Sequence, residues 1–455
     1  MKRGTASGAD VTSGPLLKQM LLFSMPILAM TCLQLLFNAA DMVVVGRFSG
    51  KEALAAVGAT GALINLLVGA FMGLSAGTSV VVAQNYGAKD WDGVSRGVHT
   101  SILLSIIGGV VVTAIGIVFC APLLRWMGTP DNIIDLSILY MKIYFIGVPA
   151  NMVYNFAAAA LRAMGDSNRP MYYLVISGVV NAALNLMFVI VFHRSVDGVA
   201  WATVISQYLA MGMILRCLCK QEGPAKLSFR KLCIDRSKLR SVLRIGLPAG
   251  AQSVLFSISN VLIQSAVNSF GSDFVAGRSA YGNIEGFVGT IAGAYYNTAI
   301  TFTGQCMGAK KYDRIDQVAK TGAVLVVATT AIASGLCVLF GRELLGIYSD
   351  DANVIEYGMI HMRVMMSTYI LCTLMNSCPG LTRGMGYSLL PMICTMVGAC
   401  ALRIVWLQTV FARFRTMGVL IACYPVTWGI TSLGQILIFF YARKKIRRES
   451  PLLYG

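Results

Sequence analysis

The chain has 455 residues, 56% of them hydrophobic and 13% charged, with a formal net charge of +17 and a mean hydropathy of +0.69. Soluble domains carry about 25% charged residues, so this chain cannot cover a water-facing surface of its own. That excludes a soluble globular enzyme, a disordered chain and a small disulfide scaffold, and points to lipid as the solvent. The basic excess lies between apolar runs, which marks membrane topology and not a nucleic-acid surface.

The polar stretch Met1–Ser13 has no signal-peptide core, so the first apolar span is expected to direct insertion. A membrane helix needs about 20 mostly apolar residues. Such segments run over 18–46, 54–82, 98–121, 135–158, 171–193 and 197–219. After a polar stretch they resume over 243–270, 274–305, 318–341, 356–379, 390–411 and 417–442. The implied organisation is a cytoplasmic tail (1–15), a six-helix lobe (16–220), a cytoplasmic linker (221–240), a second six-helix lobe (241–442) and a basic cytoplasmic tail (443–455). Lys and Arg number 26 on the side of the termini and the 216–244 stretch, and 8 on the other. This bias puts both termini in the cytoplasm. The twelve Cys are scattered, and the three His are far apart. Neither a disulfide framework, a metal cluster nor an enzyme-like constellation is expected, and no cofactor beyond a coupling ion.

The two lobes repeat. Gln84-Asn-Tyr-Gly87-Ala88-Lys89 matches Gln305-Cys-Met-Gly308-Ala309-Lys310, an offset of 221. Arg162-Ala-Met164-Gly165-Asp-Ser167 matches Arg383-Gly-Met385-Gly386-Tyr-Ser388 at the same offset, and Pro26 matches Pro248 at 222. Six spans per half is an even number, so both halves enter from one side as parallel repeats. Repeat transporters bind cargo near the midplane between such halves.

These paired loops, with Asn38-Ala-Ala-Asp41-Met-Val-Val-Val-Gly46-Arg47 and Gly198-Val-Ala-Trp-Ala-Thr203-Val-Ile-Ser206-Gln207, resemble the multidrug and toxic compound extrusion (MATE) family, bacterial branch. The resemblance covers Leu16 to Arg443. It implies an all-α membrane protein of twelve transmembrane helices in two pseudo-symmetric six-helix bundles. It also implies a monomeric exporter in the bacterial plasma membrane. Such an exporter moves lipophilic or cationic organic compounds by alternating access, driven by proton or sodium inflow. The alternative is a lipid-linked saccharide or lipid flippase of the same superfamily.

An ionisable group inside the bilayer is a functional hypothesis by default. At about 1.5 Å per residue, Asp41, Asn181, Asn185 and Thr203 reach one depth in the first lobe. A carboxylate with amide and hydroxyl oxygens suits sodium, and a lone carboxylate can carry a proton. The resemblance implies a cation site at Asp41, Asn181 and Thr203; Asn185 departs from the pattern, where an Asp is frequent, and so removes one negative charge. Glu285 and Arg403 reach a common layer of the second lobe, as a structural ion pair or as a substrate or cation contact. Lys142 and Arg363 are repeat-related and expected to snorkel. Pro26 and Pro248 kink their helices, statically or as gates. Tyr154, Phe156, Tyr281, Tyr295, Tyr296 and Tyr369 are candidate aromatic faces of the cavity.

Overall fold

The computed structural model describes residues 11–223 and 226–449; the expectations for 1–10 and 450–455, the outer parts of the two tails, lie outside the described residues. These residues form twelve long helical segments. In order they are α1 Leu16–Ser49, α2 Lys51–Gly87, α3 Trp91–Trp126, α4 Asp131–Ala163, α5 Asn168–Val191 and α6 Val196–Lys220. The second set is α7 Arg236–Asn268, α8 Ser272–Gly308, α9 Tyr312–Leu339, α10 Ala352–Gly384, α11 Leu389–Phe414 and α12 Met417–Glu449. Among the described residues, nine are both long and apolar enough to cross a membrane. The other three, α2, α8 and α10, have 37, 37 and 33 residues.

The duplication is carried by the backbone. Helices α2 and α8 start and end 221 residues apart, as do α4 and α10. The left-handed turn residues also recur in register: Gly50 and Gly271 (φ 90° and 93°), Lys89 and Lys310 (56° and 58°), Gly165 and Gly386 (92° and 96°). A non-glycine residue in this region is uncommon, so the Lys pair is a specific signature of the Gly-Ala-Lys turns.

The chain divides into two compact units. Among the described residues, unit 1 comprises Ala29–Gly250; unit 2 comprises Val11–Leu28 and the chain from Ala251 on. The first turns of α1 thus belong to unit 2 and those of α7 to unit 1. Each division falls two residues past a proline, Pro26 or Pro248. In unit 1 the reason is close backbone packing. A Cβ on Gly73 of α2 would lie 2.1 Å from the Gly250 nitrogen, and one on Gly77 would lie 2.2 Å from the Val242 carbonyl. Two small residues four apart on each helix let the backbones touch, as membrane helices do when hydrophobic driving force between them is absent.

The segments that lead into α1 and α7 are pinned. In unit 2, Arg314 donates to the Val11 and Gly14 carbonyls (3.1 and 2.9 Å), and Lys311 to Thr12 (2.9 Å). In unit 1, Asp235 caps α7 by accepting from the Lys238 amide (2.9 Å) and bonds Arg96 (3.1 Å). The Lys238 amide, with the Arg96 guanidinium, holds the Asp235 carboxyl below its usual range. At the other end, α12 runs on through Glu449, and Arg443 is buried against Asp316 with bonds of 2.6 and 2.8 Å.

Candidate functional site

In unit 1, Asp41 stands on α1, Asn181 and Asn185 one turn apart on α5, and Thr203 on α6. The structure brings all four together. Asn185 Nδ2 donates to Asp41 Oδ1 and to Asn181 Oδ1 (3.3 Å). Asn181 Nδ2 donates to Thr203 Oγ1 (3.5 Å), which in turn donates to the Val199 carbonyl (3.0 Å). Asn185 is 1% exposed, and its Oδ1 has no hydrogen-bond partner among the described residues. Tyr140 lies within electrostatic range of Asp41. Among the described residues no Lys or Arg pairs with Asp41.

The helices carrying these groups widen beside them. A π-helical turn, Val45–Ser49, follows Asp41, and another, Met187–Val191, follows Asn185. Such turns interrupt the ordinary ladder and gather at functional positions. As arranged, the Asn185 amide nitrogen occupies the space between the carboxylate and the Asn181 oxygen. A hard cation needs several converging oxygens; a proton needs only the carboxylate.

In unit 2, Glu285 and Arg403, expected either as a structural ion pair or as a substrate or cation contact, make no ion pair within 4.0 Å among the described residues. Arg403 is 1% exposed and is caged by neutral groups. Its Nε donates to Thr427 Oγ1 (3.4 Å) and Nη1 to Asn260 Oδ1 (3.2 Å). Its guanidinium sits 5.2 Å from the Phe256 ring centre and 4.9 Å from that of Tyr424. Glu285 is half-buried and in electrostatic range of both Arg403 and Arg278. Arg278 donates to the Tyr424 hydroxyl (2.7 Å). Two π-helical turns, Met396–Ala401 and Leu407–Phe411, flank Arg403.

Arg278, Asn260 and Tyr424 were not singled out from the sequence. Arg278 falls within the 274–305 run but is grouped with the outer loops in the Lys and Arg count; α8 starts at Ser272. It lies seven residues, two turns, before Glu285 and so shares its face. Tyr424 is the 221-offset partner of Thr203, which was a usable signal.

The aromatic candidates separate. Phe156 is fully buried in packing, and Tyr154 is 5% exposed with its hydroxyl on the Pro170 carbonyl (2.6 Å). Both are placed in the packed interior of unit 1 and not on an open wall. Tyr281 stacks on His361 and Tyr369 meets Trp428 edge-on (ring centres 6.1 and 5.7 Å). Tyr296 accepts from Arg383 Nη1 (2.5 Å). Tyr295 lines a cavity of about 470 Å³ inside unit 2, with Met20, Val326, Cys378 and Phe439 in its wall and Asp316 and Arg443 at its rim. Lys142 and Arg363 are both exposed, as snorkelling side chains would be.

Known proteins bear on this geometry. The chain is 28% identical over 433 residues to the probable multidrug resistance protein YoeA of Bacillus subtilis (strain 168), covering 93% of each. It is 22% identical over 364 residues to a protein named FAD transporter from Shewanella oneidensis, covering 78% of this chain and 80% of that one. Its fold is similar to a solved outward-facing multidrug resistance MATE transporter of the MOP superfamily. The TM-score is 0.89 at 22% identity, over 98% of this chain and 99% of that one. The MatE family model matches residues 26–187 and 248–407, once in each half. The chain therefore belongs to the MatE family of membrane transporters.

Proposed function

We propose that this protein exports small organic molecules across the bacterial plasma membrane by alternating access, taking up protons at Asp41 in exchange. The observation that carries this reading is the Asp41 carboxylate held among Asn181, Asn185 and Thr203 with no cationic partner among the described residues. An intramembrane acid with only neutral neighbours is the group whose charge an entering proton can cancel. The charged form makes a charge-assisted hydrogen bond with Asn185, stronger than the neutral form's. Protonation therefore loosens α1 from α5, and loss of the proton restores the contact. Differential contact of this kind is what lets an ion gradient bias two conformations.

Drug export is supported by the relatives named for multidrug resistance, and the FAD transporter extends the range of cargo to larger, charged molecules. The Lys and Arg bias supports cytoplasmic termini. The aromatic residues of unit 2 supply adaptable contact area for organic rings. The protein is expected to work as a monomer.

The test is uptake of ethidium or norfloxacin into inside-out vesicles or proteoliposomes under an imposed proton gradient, then under a sodium gradient. Asp41→Asn is expected to abolish proton-driven accumulation at unchanged expression. Full accumulation by that variant, or drive by sodium alone, overturns the reading.

A further inference from the structure

Arg403 and the three groups around it lie on the helices of unit 2 that correspond to those of the Asp41 site in unit 1. Asn260 is on α7, the repeat of α1; Arg403 is on α11, the repeat of α5; Tyr424 and Thr427 are on α12, the repeat of α6. Tyr424 is the 221-offset partner of Thr203, and Arg403 that of Ala182, next to Asn181. The same three helices thus build a polar cluster twice. In unit 1 its charge is an acid; in unit 2 it is an arginine.

A buried arginine ordinarily faces a carboxylate. Arg403 instead donates to Asn260 and Thr427, and Nη2 makes no hydrogen bond to a described residue. A second guanidinium, Arg278, shares the Tyr424 ring with it, at 5.4 and 4.9 Å. One carboxylate, Glu285, is in range of both and bonded to neither. Two arginines against one acid leave the cluster net positive inside a low-dielectric bundle. Arg278 and Glu285 are half-buried and Asn260 is exposed, so small molecules have access to its edge.

We infer that unit 2 holds an anion site, with Arg278 and Arg403 binding a carboxylate, sulfonate or phosphate group and Glu285 competing for the same guanidinium groups. Planar guanidinium forks match such oxygens in two-point contacts. This rests on the exporter reading for the source of the anion: the negative group of an amphiphilic substrate. Its consequence is that cargo with an anionic group is preferred over the cationic compounds that the family resemblance suggested.

The experiment uses the full chain in detergent and two dyes on one ring skeleton, anionic fluorescein and cationic rhodamine 123, followed by fluorescence anisotropy. Wild type is expected to bind fluorescein more tightly. Arg278→Gln, at a half-buried position, should weaken fluorescein by about tenfold or more without weakening rhodamine 123. Glu285→Gln should tighten fluorescein several-fold by removing the competitor. Should Arg403→Gln fail to fold, Arg403→Lys keeps the charge but loses the fork, and weaker fluorescein binding is expected there. Competition by inorganic phosphate, with no proton-driven accumulation of fluorescein, would assign the site to a free anion and overturn the substrate reading. Tighter binding of rhodamine 123 by wild type, or fluorescein binding unmoved by Arg278→Gln and Glu285→Gln, overturns the anion site. Proton-driven export of rhodamine 123 without fluorescein binding sinks this inference alone. Fluorescein binding with no proton-driven transport of either dye sinks the exporter reading alone.

Discussion

The polar clusters of the two units share a scaffold and differ in sign. Asp41 with Asn181, Asn185 and Thr203 offers a single carboxylate bonded to amides. Arg403 with Asn260, Tyr424 and Thr427 offers a guanidinium bonded to an amide and a hydroxyl and flanked by rings. Both lie beside π-helical turns, and those of α5 and α11 recur in nearly the same register, Met187–Val191 and Leu407–Phe411. The difference teaches that a duplicated bundle keeps its backbone plan through small residues and turns, while the chemistry placed on it is free to diverge. Where helix packing is carried by backbone approach, one helix plan accommodates an acid on α1 in one unit and an arginine on α11 in the other.

The largest expected effect is on coupling. Asp41→Asn should remove resistance to toxic dyes in a sensitive host entirely, while Arg278→Gln should leave proton dependence in place and change only which dyes are accepted. Growth in graded dye concentrations measures both. Equal loss in the two variants would erase the functional distinction between the units.

A smaller effect is structural. Gly73 of α2 meets the α7 backbone, whereas its 221-offset counterpart in unit 2 is Ala294, 1% exposed. Gly73→Ala should therefore destabilise unit 1 by about 1–3 kcal/mol through overpacking, read as a lower melting temperature in detergent. A neutral result would mean that α7 shifts away without cost. Asn185→Leu removes the amide that bonds the Asp41 carboxylate, a contact worth about 1.5–3 kcal/mol for a charged partner. Its counterpart is Trp406, whose indole donates to the Val419 carbonyl (3.0 Å), so Trp406→Phe should cost less in the same melting assay.

The smallest effect is at the surface. The carboxyl of Asp235 is held below its usual range, so its contribution to capping α7 is fully present above the ordinary carboxylate pKa. It fades as pH falls through the lowered value. Melting curves of wild type and Asp235→Asn should differ slightly near neutral pH and converge in acid. Curves that stay parallel down to acid would assign the capping to the neutral groups around it.

Twelve spans, the 221-residue repeat and the meeting of Asp41, Asn181, Asn185 and Thr203 were all legible in the sequence. Hydrophobic length fixes a membrane helix, because lipid offers the backbone no other partner. Spacing of four on α5 puts two amides on one face, helix rise brings Asp41 and Thr203 to the same depth, and the family resemblance implied the same set. The environment of Arg403 was not legible. Charge and depth suggested Glu285 as its partner, but depth does not say which way a side chain turns around a helix. The rotations of α7, α8, α11 and α12 decided that Asn260, Thr427 and Tyr424 surround the guanidinium while Glu285 stays within its field.

The division of the chain was hidden for a similar reason. Pro26 and Pro248 lie two residues before each division, but the assignment of the first turns of α1 to unit 2 and of α7 to unit 1 depends on which backbones can touch. Gly73 and Gly77 meeting Gly250 and Val242 is a fact of three-dimensional packing. Composition and periodicity set what the chain must bury and how often it must cross, since those follow from solvent and hydrogen-bonding rules that act locally. Which buried groups become neighbours depends on helix rotation and contact between distant segments, and only the folded arrangement decides that.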